Sequence, residues 1–231
     1  MKRVVIIFFC LKALTVSSQQ TYAMAKKYFL INNFSKSIIY LDSCAKQKDY
    51  ADSALFLKAH IAIKNNQFDK ASEYCDKLHH QNKNFYEVWF LRGLIASLKT
   101  KYPQAAEDYT KVLNHNPNHL KALYNRAWAK GQLEDYEGAI ADLNKCIELD
   151  ANFAGAFYSR AYWNEKAGNF DAAIRDYSKT ITLNENYDDA YLPLAYALNQ
   201  KGEKLKACEA LQKAIEKGVH VANDFKENFC K

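Results

Sequence analysis

The sequence predicts an all-α protein built from repeated pairs of antiparallel helices, on three observations. First, only seven Gly and three Pro occur in 231 residues, too few for a chain of many short strands and turns. Second, the chain repeats itself every 34 residues. Third, the second half of each repeat carries an apolar stripe with helical spacing, as in Ala139, Leu143 and Ile147. The 14% aromatic content supplies a core and argues against disorder.

The period is clear in the middle of the chain. Residues 120–153 meet residues 154–187 after a shift of 34, and Asp-Tyr-Glu-Gly-Ala-Ile in the first aligns with Asn-Phe-Asp-Ala-Ala-Ile in the second. The same shift tiles residues 18–221 with six units and no insertion. The predicted organisation is a signal peptide at 1–18, a degenerate first repeat at 19–51, repeats at 52–85, 86–119, 120–153, 154–187 and 188–221, and a capping helix at 222–231.

Two columns of small residues indicate where the helices of each pair cross, because helix axes approach closely only where side chains are small. Units are numbered from position 1 at residues 18, 52, 86, 120, 154 and 188. Position 8 holds Ala25, Ala59, Gly93, Ala127, Ala161 and Ala195, and position 20 holds Ser37, Ala71, Ala105, Ala139, Ala173 and Ala207.

These columns resemble the tetratricopeptide repeat. The third unit carries the pattern most fully, with Trp89 at position 4, Gly93 at 8, Ala105 at 20, Tyr109 at 24 and Pro117 at 32. The resemblance implies a right-handed superhelical α-solenoid of six helix pairs that binds a partner without catalysing a reaction. The sequence departs from the family pattern in the poorly matching first unit and at position 32, where only Pro117 is a proline.

In that family the first helix of each pair lines the concave surface, with positions 2, 5, 9, 12 and 13 facing the groove. The resemblance therefore predicts a partner-binding groove lined largely by aromatic side chains, which make stiff, amphipathic contacts. The alternative is that some of these rings belong to the core. The predicted groove residues are Phe56, His60, Phe90, Leu94, Lys121, Tyr124, Asn125, Trp128, Tyr158, Tyr162 and Tyr196.

Some relatives hold the carboxylate end of chaperone tails through a clamp of Lys, Asn and Arg. Lys121 and Asn125 resemble parts of that clamp, but position 9 carries no Asn in any unit. We therefore expect no carboxylate clamp of this type. The groove is predicted to take a protein or peptide. The alternatives are a structural scaffold that uses the convex face or the ends, and binding of a glycan or peptidoglycan fragment.

A second periodic pattern joins charges of opposite sign. Arg92, Arg126 and Arg160 occupy position 7, and Asp108, Asp142 and Asp176 occupy position 23 of the same units. The last unit has Leu194 and Ala210 and loses both charges together. This pattern predicts a bridge between the two helices of a pair, since a guanidinium holds a carboxylate in a fixed fork. The alternative is a row of arginines that binds an anion.

The N-terminus has the layout of a secretory signal peptide, with Lys2 and Arg3 before an apolar run and small residues at 15–18. Cleavage after Ser18 is expected, with cleavage after Ala23 as the second choice. Removing residues 1–18 lowers the 32 cations to 29 against 26 acids, and these are spread along the chain. We therefore predict an exported protein, periplasmic or secreted, that has no membrane span once processed and does not bind nucleic acid.

The remaining side chains give no sign of catalysis. The sequence has no glycine-rich phosphate loop or nucleophile elbow, and no His lies at zinc-like spacing from a Cys, so no enzyme activity, cofactor or metal is predicted. Asp and Glu outside the bridges are interpreted as solvated helix faces. Cys44, Cys75 and Cys146 lie on the apolar stripe and are interpreted as buried. Cys208 and Cys230 are candidates for a disulfide, with two free thiols as the alternative.

Overall fold

The computed structural model describes residues 17–219 and Cys230, and this part of the chain is helical without strands, which confirms the all-α repeat prediction. The predicted signal peptide lies outside the described residues except for Ser17 and Ser18. The predicted capping helix lies outside them except for Cys230. The helices are α1 Ser18–Leu30, α2 Phe34–Cys44, α3 Lys48–Lys64, α4 Phe68–Gln81, α5 Glu87–Leu98, α6 Tyr102–His115, α7 Leu120–Gln132, α8 Tyr136–Leu149, α9 Ala154–Lys166, α10 Phe170–Leu183, α11 Tyr191–Gln200 and α12 Lys204–Glu216. A short 3-10 helix, Asp188–Ala190, precedes α11.

The chain forms two compact units, residues 1–88 and residues 89–231. In the first unit α1 pairs with α2 and α3 pairs with α4. In the second, α7 pairs with α8, α9 with α10 and α11 with α12, and each pair also packs on the next. Odd-numbered helices are therefore the first helices of the repeats, and even-numbered helices are the second. Helix α3 begins at Lys48, inside the segment assigned to the first repeat.

The small-residue columns lie where the helices of a pair meet, and all their alanines are buried. In the first pair the Ser37 hydroxyl at position 20 donates a hydrogen bond of 2.9 Å to the carbonyl oxygen of Ala25 at position 8. In the third pair a Cβ on Gly93 would lie 2.8 Å from the ring of Tyr109. Side chains larger than Ala or Ser would separate the helices at these points.

A left-handed residue turns the chain from the first helix to the second in every repeat, always at position 15. Four of these residues are not glycine: asparagine tolerates positive φ, as at Asn32 and Asn66, whereas the conformation is costly for Thr100 and Glu134. The φ angles are 57° at Asn32, 56° at Asn66, 56° at Thr100, 64° at Glu134, 79° at Gly168 and 77° at Gly202.

The end of the chain is fastened to the last helix pair. The Sγ atoms of Cys208 and Cys230 are bonded at 2.07 Å. Cys230 packs against the apolar cluster that α11 and α12 form, which includes Tyr191 and Leu211. Cys44, Cys75 and Cys146 are buried, as predicted, and burial raises the pKa of the Cys146 thiol to about 12.

Candidate partner-binding groove

Arginine bridges orient the first helices that carry the candidate site. Arg126 of α7 donates from Nε and Nη2 to the two carboxylate oxygens of Asp142 at 2.8 and 2.7 Å. Arg160 of α9 makes the same fork with Asp176 at 2.7 and 2.8 Å. The predicted bridge within a helix pair is thus confirmed at these two sites. Such forks fix the rotation of one helix against the other.

The third predicted pair has a different geometry. Nε of Arg92 lies 4.0 Å from Oδ2 of Asp108, and the guanidinium lies 4.9 Å from the centre of the Trp89 ring. Nζ of Lys111 donates to the other oxygen of Asp108 at 3.2 Å. Burial raises the pKa of the Asp108 carboxyl, against the opposing effect of Lys111 and Arg92.

The cations at position 7 also link successive repeats, which the sequence columns did not reveal. Lys58, Arg126 and Arg160 each reach an oxygen atom at position 25 of the preceding repeat, and the two arginines thereby join three helices. The links are Arg126 Nη1 to Thr110 Oγ1 at 3.1 Å, Arg160 Nη1 to Asn144 Oδ1 at 2.6 Å and Lys58 Nζ to Asp42 Oδ1 at 2.5 Å.

The predicted rings at position 5 pack against a second column of rings at position 34, in the turn that ends the same repeat. The ring centres are 5.4 Å apart for Phe56 and Phe85, 5.3 Å for Phe90 and His119, 5.2 Å for Tyr124 and Phe153, and 5.0 Å for Tyr158 and Tyr187. Aromatic pairs at such distances are stabilising. The rings at position 5 therefore hold the turn between repeats in place. The alternative that a predicted groove ring belongs to the core is best supported for Phe90, which is only 7% exposed.

Two of the three rings at position 9 of the second unit are exposed, and the third is half-buried. Trp128 of α7 and Tyr196 of α11 are 41% and 40% exposed. Tyr162 of α9 is stacked on Trp128, with ring centres 6.3 Å apart and an angle of 24° between the planes. We name Trp128, Tyr162 and Tyr196 the ring row. Three successive first helices contribute to it, one ring each.

The other predicted groove residues are scattered. In the first unit Phe56 and His60 pack edge to face, with ring centres 5.0 Å apart. In the second unit Leu94 and Asn125 are half-buried and Lys121 is exposed. Ser159 donates a hydrogen bond of 3.0 Å to the Tyr124 hydroxyl, which fixes that ring beside α9.

A cleft of about 380 Å³ opens between α9 and α11 at the end of the ring row. Tyr158, Tyr162 and Tyr196 contribute rings to it, and Glu165 and Asp189 contribute carboxylates. The sequence interpretation treated these two acids as solvated helix face, whereas Glu165 is half-buried. The signal that could have found them is their place at positions 12 and 2, both of which face the groove in the tetratricopeptide pattern.

Among residues 17–219 and Cys230, no group of His, Cys, Asp and Glu side chains is arranged to hold a metal ion. None of the helices in that range combines the length and apolar character needed to cross a membrane.

Paired helices in register and a row of accessible rings define a helical-repeat protein of the protein-interaction type. A family model described as the C-terminal ARM domain of tetratricopeptide repeat protein 21 matches residues 10–141, more than half of the chain. A second model, described as a tetratricopeptide repeat, matches residues 164–218. The chain belongs to the tetratricopeptide-repeat family. No curated protein sequence matches it significantly.

Solved structures share the fold. A crystal structure of MamA superposes with a TM-score of 0.66 at 24% identity, covering 71% of this chain and 96% of MamA. YrrB, described as a tetratricopeptide-repeat protein with an unusual peptide-binding site, gives a TM-score of 0.69 at 18% identity, covering 81% of this chain and 97% of YrrB. A tetratricopeptide-repeat protein from Parabacteroides merdae gives 0.68 at 17% identity, covering 87% and 79%.

Proposed function

We propose that the chain is a non-catalytic interaction module that binds a peptide segment of a partner protein along the ring row. The observation that carries the proposal is the contrast between two columns of rings. At position 5 the rings pack against other rings of the protein, whereas at position 9 Trp128 and Tyr196 present about two fifths of their surface to solvent. Exposed Trp and Tyr side chains in a line are typical of binding surfaces.

The geometry favours an extended or helical peptide. The ring row runs across α7, α9 and α11, so a bound segment would cross several repeats and contact a ring from each. The bridges of Arg126 and Arg160 hold α7 and α9 against their partner helices. A surface that is already ordered loses little side-chain freedom on binding, which favours affinity. The peptide-binding site named for YrrB supports the proposal by analogy of fold alone.

Selection from a random peptide library displayed on phage tests the proposal. We expect the full chain to enrich specific sequences, and Trp128→Ala with Tyr162→Ala to weaken their binding at least about tenfold, as removal of a binding hot spot does. Leu149→Ala is the matched control, because Leu149 is similarly exposed, at 39%, on the second helix α8. Circular dichroism would check that each variant is folded.

Three outcomes would redirect the interpretation. Enriched peptides that bind the ring-row variant as well as the wild type would contradict the ring row as the site. A partner captured from cells equally by both proteins would favour the structural scaffold. Retention on immobilised glycan or peptidoglycan fragments, lost in the ring-row variant, would favour sugar stacking on the rings.

We propose in addition that the protein is exported, on the sequence of residues 1–18. Mass spectrometry of the intact protein recovered from separated cell fractions and medium tests this proposal. A mature chain that begins at Gln19 in the periplasm or medium is the expected result. A full-length chain in the cytoplasmic fraction would contradict it.

A further inference from the structure

The cleft between α9 and α11 combines aromatic rings with negative charge. Its rings are Tyr158, Tyr162 and Tyr196, and its carboxylates are Glu165 near the end of α9 and Asp189 in the 3-10 helix before α11. A ring face attracts cations through its quadrupole, and the attraction grows when water is excluded. The aromatic rings and the carboxylates of the cleft therefore both favour a positively charged ligand.

Glu165 is a half-buried carboxylate without a matching positive charge. In the described part of the chain, its hydrogen-bond donor is the hydroxyl of Tyr177, a neutral group 3.0 Å from Oε2. Burial raises the pKa of the Glu165 carboxyl, and the Tyr177 hydrogen bond and Lys166 act against this effect. Among the described residues neither Glu165 nor Asp189 lies within ion-pair distance of a Lys or Arg. Burying a carboxylate in this way costs folding free energy.

Tyr158, which also lines the cleft, lies in the same negatively charged environment. Burial raises the pKa of Tyr158 to about 12, and Tyr187, Asp189 and Glu165 add to the rise. Lys166 follows Glu165 in the chain, and its Nζ lies 5.3 Å from the centre of the Tyr162 ring. The Lys166 side chain is exposed.

We propose that this cleft receives an arginine or lysine side chain of the peptide bound along the ring row. The proposal rests on the proposed peptide-binding function and adds the chemistry that one position of the peptide must have. The ammonium or guanidinium group supplies the charge that Glu165 and Asp189 lack, and the tyrosine rings enclose its methylene stem. A glutamate of the partner at this position is excluded by like charge.

Pools of blocked peptides with one fixed residue in a random background test the proposal. The fixed residues are arginine, citrulline, lysine, norleucine and glutamate, because citrulline and norleucine keep the shape of arginine and lysine without the charge. We expect the arginine and lysine pools to bind the full chain at least about tenfold more tightly than their neutral counterparts, as a charge-assisted hydrogen bond provides. The arginine and lysine arms decide which cation fits better.

Two near-isosteric substitutions then test whether Glu165 and Asp189 cause the preference for cationic peptides. Glu165→Gln and Asp189→Asn together should remove the preference for cationic pools and leave the residual binding through Trp128 intact. A merely structural role of Glu165 predicts that Glu165→Gln lowers the melting temperature. A site that holds a carboxylate for a ligand predicts an unchanged or higher melting temperature with the preference lost.

The other possible results distinguish failure of the cation cleft from failure of the peptide-binding function. Pools that bind without a preference for cations, or a preference that survives both substitutions, overturn the cation cleft and leave the ring row in place. Peptides that fail to bind in every pool overturn the cation cleft together with the peptide-binding function.

Discussion

The bridge between Arg126 and Asp142 allows a quantitative test of what holds the repeats in register. Two hydrogen bonds of 2.8 and 2.7 Å join the side chains, and Asp142 is only 5% exposed. A third contact joins Nζ of Lys130 to Asp142 at 3.1 Å. Arg126→Ala leaves the buried Asp142 with Lys130 as its remaining cation, and Asp142→Ala leaves the Arg126 guanidinium without its carboxylate, so each should destabilise by about 1–3 kcal/mol.

A double-mutant cycle separates the pair from its surroundings. Urea unfolding of the wild type, both single variants and the double variant should give a coupling of about 2 kcal/mol, within the range for side chains in direct contact. The matched control is the exposed pair of Lys145 and Glu148, joined at 3.0 Å on α8, the helix that also carries Asp142; for this pair we expect less than about 1 kcal/mol. Equal coupling in the two cycles would refute the argument that burial and the forked geometry make the arginine bridge strong.

Further predictions concern packing, a turn and the cleft. Gly131→Ala places a Cβ 2.3 Å from Cε2 of Trp163 and should destabilise by about 1–3 kcal/mol, with recovery in a Trp163→Leu background measured by the same unfolding assay. Glu134→Gly relieves a φ of 64° and should raise stability by up to about 1 kcal/mol, whereas Gly168→Ala, at φ 79°, should lower it by a similar amount; opposite signs would contradict the strain argument. Binding of an arginine-containing peptide should weaken as the pH falls through the pKa of Glu165, which burial raises above its ordinary 4.5. The charged form of Glu165 is the one that binds a cation, so affinity is highest above that pKa. Glu165→Gln should flatten this part of a calorimetric pH profile, and an unchanged profile would contradict the assignment.

The sequence predicts the repeats well because the determinants of a helix pair are local. Small residues recur at the crossing, as with Ala25 and Ser37, and opposite charges recur sixteen residues apart within one unit, as in Arg126 and Asp142. Both patterns appear as aligned columns when the sequence is compared with itself after a shift of 34 residues. The helix pairing and the two forked bridges follow from them.

Contacts between different columns were harder to predict. The link from Arg160 to Asn144 joins position 7 to position 25 of the preceding repeat, where residue types vary. Stacking of Tyr158 on Tyr187 depends on how the turn between repeats folds back. Such contacts require the packing of neighbouring pairs, which the period alone does not specify. For the same reason, the exposed rings of Trp128 and Tyr196 at position 9 could not be told from the less exposed rings at position 5 by sequence alone.

The left-handed turns are another feature that the sequence alone does not predict, for a different reason. A turn with positive φ is usually recognised by glycine, but only Gly168 and Gly202 provide that signal, while Thr100 and Glu134 adopt the same conformation. The repeat overrides the preference of the single residue, because the helices on both sides are fixed by their packing.

The disulfide at the end of the chain has a consequence for how the array opens. The last helix pair has Leu194 and Ala210 at the bridge positions, so it lacks the arginine fork that ties α7 to α8 and α9 to α10. A linear array frays from an end whose interface with its neighbour is weak. The bond between Cys208 and Cys230 joins residues that are 22 apart in the sequence, a constraint of about 3 kcal/mol on the unfolded chain. Reduction removes this constraint, so α11 and α12 should open more readily than with the bond intact. Tyr196 lies on α11 and Asp189 just before it, so opening of this pair would remove one wall of the cleft between α9 and α11.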